Sequence, residues 1–128
     1  MIDEMKARIE AWAFRGPLWA QMLKTAATHA LVWGLGTVVG SVVGGVLLVF
    51  AGLHAIWAFT FTLAGFGVGA RFYLGREAGD VAAFLASPEH GSLAKLGLKI
   101  ADSGLDLIVP LAFNAWIVTL AARVFGLL

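Results

Sequence analysis

Cysteine is absent from this sequence of 128 residues. The chain therefore has no disulfide, no thiolate metal ligand and no thiol nucleophile. An excess of charge of either sign is also missing, because the formal net charge is +1 and the nine Lys and Arg residues are dispersed. Nucleic-acid binding needs clustered basic residues, so we expect no nucleic-acid partner.

Patterns typical of enzymes are missing as well. The sequence brings no carboxylates together at a fixed spacing, no nucleophile beside a base and no histidines at metal-ligand spacing. Its glycines lie in apolar segments without the lysine of a phosphate-binding loop. We therefore expect no enzyme, no catalytic residue, no cofactor and no metal site. The first residues lack the basic and then apolar pattern of a signal peptide, so we expect the N-terminus to be retained.

Charge is scarce throughout the chain. Charged residues make up 13%, hydrophobic residues make up 60%, and the mean hydropathy is +0.88, whereas soluble domains average about 25% charged residues. Between Lys24 and Arg71, 46 consecutive positions carry no Lys, Arg, Asp or Glu. One membrane span needs about 20 residues, so two fit there. The sequence predicts a single all-α integral membrane domain over residues 1–128.

The N-terminal segment predicts an amphipathic helix at the membrane interface. Apolar residues recur at steps of three and four over residues 2–15, with oppositely charged i,i+4 pairs on the other side. Trp12 and Trp19 suit the headgroup boundary and are predicted anchors to the lipid bilayer. Gly16 and Pro17 interrupt the helix, and Pro17 suits the first position of the next helix.

Three transmembrane helices are predicted. The first covers residues 30–50 and the second covers 53–74, and the short link between them favours an antiparallel hairpin. The third covers 105–128, but its neutral core of 16 residues is only about 24 Å long. It crosses the bilayer fully only if Arg123 extends its side chain to the interface.

The segment 75–104 is predicted to be a cytoplasmic loop that contains two short helices, near 76–86 and 93–101, separated at Pro88. Eight of the nine Lys and Arg residues precede the first span or lie in or beside this loop, and Arg123 is the exception. The positive-inside rule then predicts a cytoplasmic N-terminus in a bacterial inner membrane and a C-terminus outside.

Small residues form two stripes at a four-residue step. Gly36, Gly40 and Gly44 lie along one face of the first span, and Gly65 and Gly69 repeat the pattern in the second. Such stripes let helices approach closely. Two interpretations stay open: the stripes pack the hairpin within one chain, or they form the oligomerisation face between copies in a homo-oligomer.

Polar groups in the third span need partners or water, because they are costly in a bilayer. Asn114 lies in mid-span, where an interhelical hydrogen bond is favoured over a water path. Asp106 is placed at the start of the span. Pro110 removes the hydrogen bond to the carbonyl of Asp106 and predicts a kink.

Two segments carry a resemblance to a known group. Residues Phe72-Tyr73-Leu74-Gly75-Arg76-Glu77-Ala78 and Ser103-Gly104-Leu105-Asp106-Leu107-Ile108-Val109-Pro110 resemble small membrane proteins of tailed bacteriophages, in which an FY-x-x-RE signature ends a span and a polar loop leads to another. The resemblance covers residues 55–115. It implies a phage protein of the host inner membrane, and the common role of such proteins is that of a holin, which opens membrane lesions during host cell lysis.

Three functions are therefore considered. The first is a holin-like homo-oligomer that packs through its glycine stripes and permeabilises the membrane. The second is a non-conducting scaffold, for example a virion or membrane-remodelling component, that binds a protein partner through Arg76 and Glu77 of the loop. The third is a small channel or transporter subunit, which ranks last because no charged residue is predicted at mid-depth in the bilayer.

Overall fold

A computed structural model describes residues 1–87 and 92–128. Within these ranges the chain forms four helices and no strand: α1 (Ile2–Ala13), α2 (Leu18–Ala51), α3 (Ala55–Ala86) and α4 (Leu93–Val124). Three of these helices, α2, α3 and α4, are long and apolar enough to cross a membrane. The predictions of an all-helical chain and of three helices able to span a bilayer are confirmed.

The long helices extend well beyond a bilayer core. α2 has 34 residues and α3 and α4 have 32 each, which corresponds to about 48–51 Å against a hydrocarbon thickness of about 30 Å. The segment 75–104 therefore differs from the predicted loop, because residues 75–86 continue α3 and residues 93–104 belong to α4. Pro88, predicted to separate two short helices, lies outside the described residues.

The connection between α1 and α2 is set by a glycine and by one lysine. Gly16 has a positive φ of 100°, a conformation that costs glycine little, and Pro17 is the N-cap of α2. Lys24 then reaches back from α2, and its ammonium donates to the carbonyl oxygens of Trp12 at 3.1 Å and Arg15 at 2.8 Å. A cation that bonds the last carbonyls of a helix is favourable, so Lys24 fixes the direction in which α1 leaves the bundle.

The turn between α2 and α3 makes the hairpin tight. Gly52 adopts the left-handed conformation with φ 66°, and the backbone N–H of Leu53 donates to the carbonyl of Leu47 at 3.1 Å, so the turn is bonded back to the end of α2. The exposed His54 is the N-cap of α3. Because the turn is so short, α3 must run back antiparallel along α2.

α2 lies against both α3 and α4 and is the centre of the bundle. Its buried residues recur along one face, from Ala26 through Ala30, Trp33 and Thr37 to Gly44. α4 remains one helix through Pro110, which is itself fully buried. The polar residues buried by this packing lie on the faces that the three helices share.

Candidate functional site: a buried polar cluster between three helices

The two glycine stripes lie where α2 meets α3 in the same chain. A Cβ added at Gly40 would collide with the carbonyl oxygen of Phe61, and one at Gly44 would collide with that of Ala58. A Cβ at Gly36 would lie 3.3 Å from the carbonyl oxygen of Gly65. Backbones this close leave no room for larger side chains, so α3 already occupies this stripe of α2.

Gly69 makes room for a side chain instead of a backbone. A Cβ there would collide with the indole ring of Trp33, whose Nε1–H donates to the carbonyl of Phe66 at 2.9 Å. Trp33 is buried and stacks on Tyr73, with ring centroids 6.0 Å apart. The indole therefore links the glycine-packed part of the hairpin to the polar region that begins at Tyr73.

A ladder of hydrogen bonds runs between the helices deep in the bundle. The hydroxyl of Thr37 donates to the Oδ1 atom of Asn114 at 2.7 Å, and the amide of Asn114 donates to the carbonyl of Pro110 at 2.8 Å. Farther along, the hydroxyl of Thr62 donates to the Oγ atom of Ser41 at 3.0 Å. The side chains of Thr37, Thr62 and Asn114 are fully buried. We call these four side chains, Thr37, Ser41, Thr62 and Asn114, the polar ladder.

An ionisable cluster lies about two helical turns along α2 from Thr37. His29 of α2, Glu77 of α3 and Asp106 of α4 are 6%, 3% and 4% exposed. Each offers a ligand atom, and these atoms all lie within 4.8 Å of one another. The His29 Nδ1 and Asp106 Oδ2 atoms are 3.3 Å apart. One residue from each long helix therefore contributes to a single buried site, which we call the triad.

Arg76 determines which ring nitrogen of a neutral His29 carries the proton. Its Nη1 atom lies 2.5 Å from the Nε2 atom of His29. A guanidinium can only donate, so a neutral His29 accepts at Nε2 and carries its proton on Nδ1, facing Asp106. The ring of His29 is also covered by Tyr73, with centroids 4.9 Å apart. The orientation of the imidazole is thus held from two sides.

The triad is incompletely paired. The Nδ1 atom of His29, the Oε1 atom of Glu77 and the Oδ1 atom of Asp106 are buried and make no hydrogen bond within residues 1–87 and 92–128, and the Oγ atom of Ser103 is in the same state. The 3.3 Å approach of His29 to Asp106 is an ion-pair distance without hydrogen-bond geometry. Buried polar atoms without partners cost about 1–3 kcal/mol each. Such a concentration indicates a functional site more than a structural one.

A cleft of about 410 Å³ opens beside the triad and includes Asp106 in its wall. Asp80, Lys99 and Asp102 also line it. The Arg76 Nε and Asp80 Oδ2 atoms are 3.9 Å apart, and the Lys99 Nζ and Asp102 Oδ2 atoms are 4.0 Å apart. These partly exposed pairs contribute little stability, and each pair is formally neutral.

The predicted site residues are distributed over four regions. Gly36, Gly40, Gly44, Gly65 and Gly69 lie at the α2–α3 interface, Asn114 and Pro110 lie at the polar ladder, and Glu77 and Asp106 belong to the triad with Arg76 beside it. Trp12 and Trp19 are exposed at the α1–α2 junction. The predicted position of Glu77 on an aqueous loop is therefore corrected, because its side chain is buried in the bundle.

Several residues of the site were not singled out from the sequence. His29, Tyr73 and Ser103 are among them. One signal was present in the sequence: Arg76 and Glu77 follow Tyr73 by three and four positions, and Asp106 follows Ser103 by three. Such steps place residues on one helix face, so a continuous α3 and α4 would have suggested that these groups share a surface.

The two segments that carry the phage resemblance meet at this site. Residues 72–78 supply Tyr73, Arg76 and Glu77, and residues 103–110 supply Ser103 and Asp106. No family model, curated protein or solved structure matches this chain. The resemblance therefore depends on the two segments alone.

Proposed function

We propose that the chain is a holin-like protein of a bacterial inner membrane, whose copies assemble and permeabilise the bilayer, with its N-terminus in the cytoplasm. The observation that carries this proposal is the polar ladder. Thr37, Thr62 and Asn114 are fully buried among helices whose outer faces are apolar. Each long helix thus contributes at least one polar side chain of the ladder toward its neighbours and has apolar residues on its outer face.

The polar ladder is more than a three-helix bundle needs for stability. Interhelical hydrogen bonds in membranes contribute only about 0.6–2 kcal/mol each, and the hairpin is already closely packed by its glycines. A stripe of hydroxyl and amide groups is, however, what a helix needs in order to face water inside a bilayer. When copies assemble and the helices separate, these stripes are available to line an aqueous lesion.

The outer surface supports assembly through faces other than the glycine stripes. In the most apolar windows of α2, α3 and α4, only 17%, 11% and 28% of residues are buried within the chain. A groove of about 320 Å³ between α2 and α4, lined by Val38, Val42 and Leu120 among others, is almost wholly apolar. We propose this α2–α4 face as the contact between copies, since α3 covers the glycine stripe of α2.

The test compares dye leakage from vesicles containing the wild type or two sets of variants. In Thr37→Val with Asn114→Leu, both hydrogen-bonding partners become apolar, so the fold is retained while the lesion loses polar lining. We expect the double variant to leak several-fold less than the wild type. Thr119→Val is the control, because Thr119 is exposed and bonds only within its own helix, to Ala115 at 2.8 Å.

The proposal fails if the purified wild type forms oligomers in vesicles but releases no dye of any size. It also fails if the double variant leaks as fast as the wild type. Leakage graded by dye size would give the width of the lesion, and unchanged leakage by Thr119→Val would assign the effect to the polar ladder.

A second candidate is a small channel or transporter subunit, and the triad is the observation that favours it. Ionisable groups buried between membrane helices commonly mark ion pathways. This function ranks last from the sequence because no charged residue is predicted at mid-depth in the bilayer. Glu77 and Asp106 are, however, buried between the helices. Ion-selective flux without release of any dye would favour this candidate over the holin-like function.

A further inference from the structure

We infer that His29, Glu77 and Asp106 form a binding site for a divalent transition-metal ion, with Zn²⁺ as the best match. The three residues supply one imidazole nitrogen and two carboxylates, and their ligand atoms lie within 4.8 Å of one another. Nitrogen and oxygen ligands bind zinc at about 2.0–2.2 Å, so two ligands of one tetrahedral ion are roughly 3.4 Å apart. The separation of 3.3 Å between His29 and Asp106 already meets this requirement.

The unpartnered atoms point to a ligand independently of the spacing. His29 Nδ1, Glu77 Oε1 and Asp106 Oδ1 are all buried, and none has a hydrogen-bond partner in the described part of the chain. All three residues are more than nine-tenths buried. One cation among them would coordinate all three atoms at once, with the imidazole proton of His29 moved from Nδ1 to Nε2. An apolar ligand or an anion would leave them unsatisfied.

The surrounding charge also favours a divalent cation. The triad and its cleft hold four carboxylates, on Glu77, Asp80, Asp102 and Asp106, against the two cationic side chains of Arg76 and Lys99. The formal excess is two negative charges. Asp106 lines the cleft together with Asp80 and Asp102, so the cleft reaches one member of the triad.

The donor set selects among metals. Ca²⁺ takes six to eight oxygen ligands, and Mg²⁺ prefers octahedral oxygen sites and retains several waters. A set of one histidine and two carboxylates, with room for a fourth ligand, suits Zn²⁺ and similar transition metals. Excess Mg²⁺ should therefore not displace Zn²⁺ from this site.

Arg76 adapts when the metal binds. A metal on Nδ1 leaves the ring proton on Nε2, and that atom then no longer accepts from the guanidinium. Arg76 already lies 3.9 Å from Asp80, so it can turn to that carboxylate. Arg76→Lys should keep zinc binding, because Arg76 is not a ligand.

The experiment is zinc titration calorimetry on the full-length protein in lipid nanodiscs, purified through a tag that contains no histidine. We expect one Zn²⁺ per chain. His29→Gln, Glu77→Gln and Asp106→Asn should each weaken binding by at least tenfold, because outer-shell partners alone are worth about 10–100-fold. Asp3→Asn, on the exposed α1, is the matched control and should bind like the wild type.

Two results of the titration would overturn the inference. One is a folded wild type that binds no Zn²⁺ in the titration. The other is unchanged zinc affinity in both Glu77→Gln and Asp106→Asn.

Because a variant can fail to fold, helix content is measured by circular dichroism, and Co²⁺ replaces Zn²⁺ in the wild type as a second test. Visible bands of tetrahedral Co²⁺ support the site, and a spectrum of hexahydrated Co²⁺ contradicts it. Neither test depends on membrane leakage, so the inference is tested independently of the proposed function.

Discussion

At the scale of single residues, the most informative side chain is Asn114. It makes two hydrogen bonds, one from its amide to Pro110 in its own helix and one from Thr37 across to α2. The first bond reaches the carbonyl four residues earlier, in the turn of α4 that begins at Pro110, a residue that interrupts the regular backbone pattern of a helix. Asn114 therefore joins a local defect of one helix to the packing of two helices.

A double-mutant cycle on Thr37 and Asn114 measures this link. Asn114→Leu alone leaves the buried hydroxyl of Thr37 without its partner, and Thr37→Val alone leaves the Asn114 oxygen unpaired. We expect each single change to lower the free energy of unfolding, and the pair to show a coupling of about 0.6–2 kcal/mol. Unfolding is followed by circular dichroism in mixed detergent micelles. Additive effects of the two substitutions would argue against the hydrogen bond.

At the scale of secondary-structure elements, the hairpin of α2 and α3 is organised by where its glycines face. Glycine is unfavourable inside a soluble helix by about 0.8–1.0 kcal/mol relative to alanine. At Gly40 the close approach of Phe61 requires it, whereas no described atom lies within 4 Å of a Cβ added at Gly67. The two positions therefore separate the packing role of glycine from its effect on helix propensity.

Gly40→Ala and Gly67→Ala form a matched pair for this purpose. We expect Gly40→Ala to destabilise the protein by about 1–3 kcal/mol, because overpacking forces the helices apart. Gly67→Ala should be neutral or slightly stabilising. The thermal midpoint of unfolding in detergent gives both values. If Gly40→Ala leaves this midpoint unchanged, the α2–α3 contact is not the close one described here.

The elements also show why part of the site escaped prediction. The sequence predicted two short helices near 76–86 and 93–101. It placed them in a loop, separate from the spans that precede and follow them. The charges of Arg76, Glu77 and Asp80 suggested water, although an α-helix can continue past the hydrocarbon core with its charged face turned toward its neighbours. Hydropathy measures the free energy of transferring side chains to lipid and does not show whether a helix continues beyond the bilayer.

At the scale of the whole molecule, the three predicted crossings put the two ends of the chain on opposite sides of the membrane. The Lys and Arg residues predict that α1 lies in the cytoplasm and that the C-terminus lies outside. Lys24 binds the end of α1 through the carbonyls of Trp12 and Arg15, which keeps α1 at the end of the bundle where the triad lies. The cleft beside the triad is then predicted to open to the cytoplasm.

Single cysteines test this orientation cleanly, because the natural chain has none. Ala7→Cys marks the exposed α1, and Leu128→Cys marks the exposed C-terminus. We expect a membrane-impermeant maleimide to label Leu128→Cys in intact spheroplasts and Ala7→Cys only after permeabilisation. The reverse pattern would invert the predicted topology and would open the cleft to the outside.

The sequence by itself determined the helical class and the number of helices able to cross a bilayer, because both follow from the length of charge-free segments and from the scarcity of charge. It also located the close-packing glycines, since a four-residue step is a property of one helix. Only the tertiary structure decided that these glycines face α3 within the chain. It alone brought together His29, Glu77 and Asp106, which are 48 and 29 positions apart along the chain. Contacts of that kind depend on how far each helix continues and on its rotation about its own axis. The sequence periodicity of a single helix determines neither its length nor its rotation.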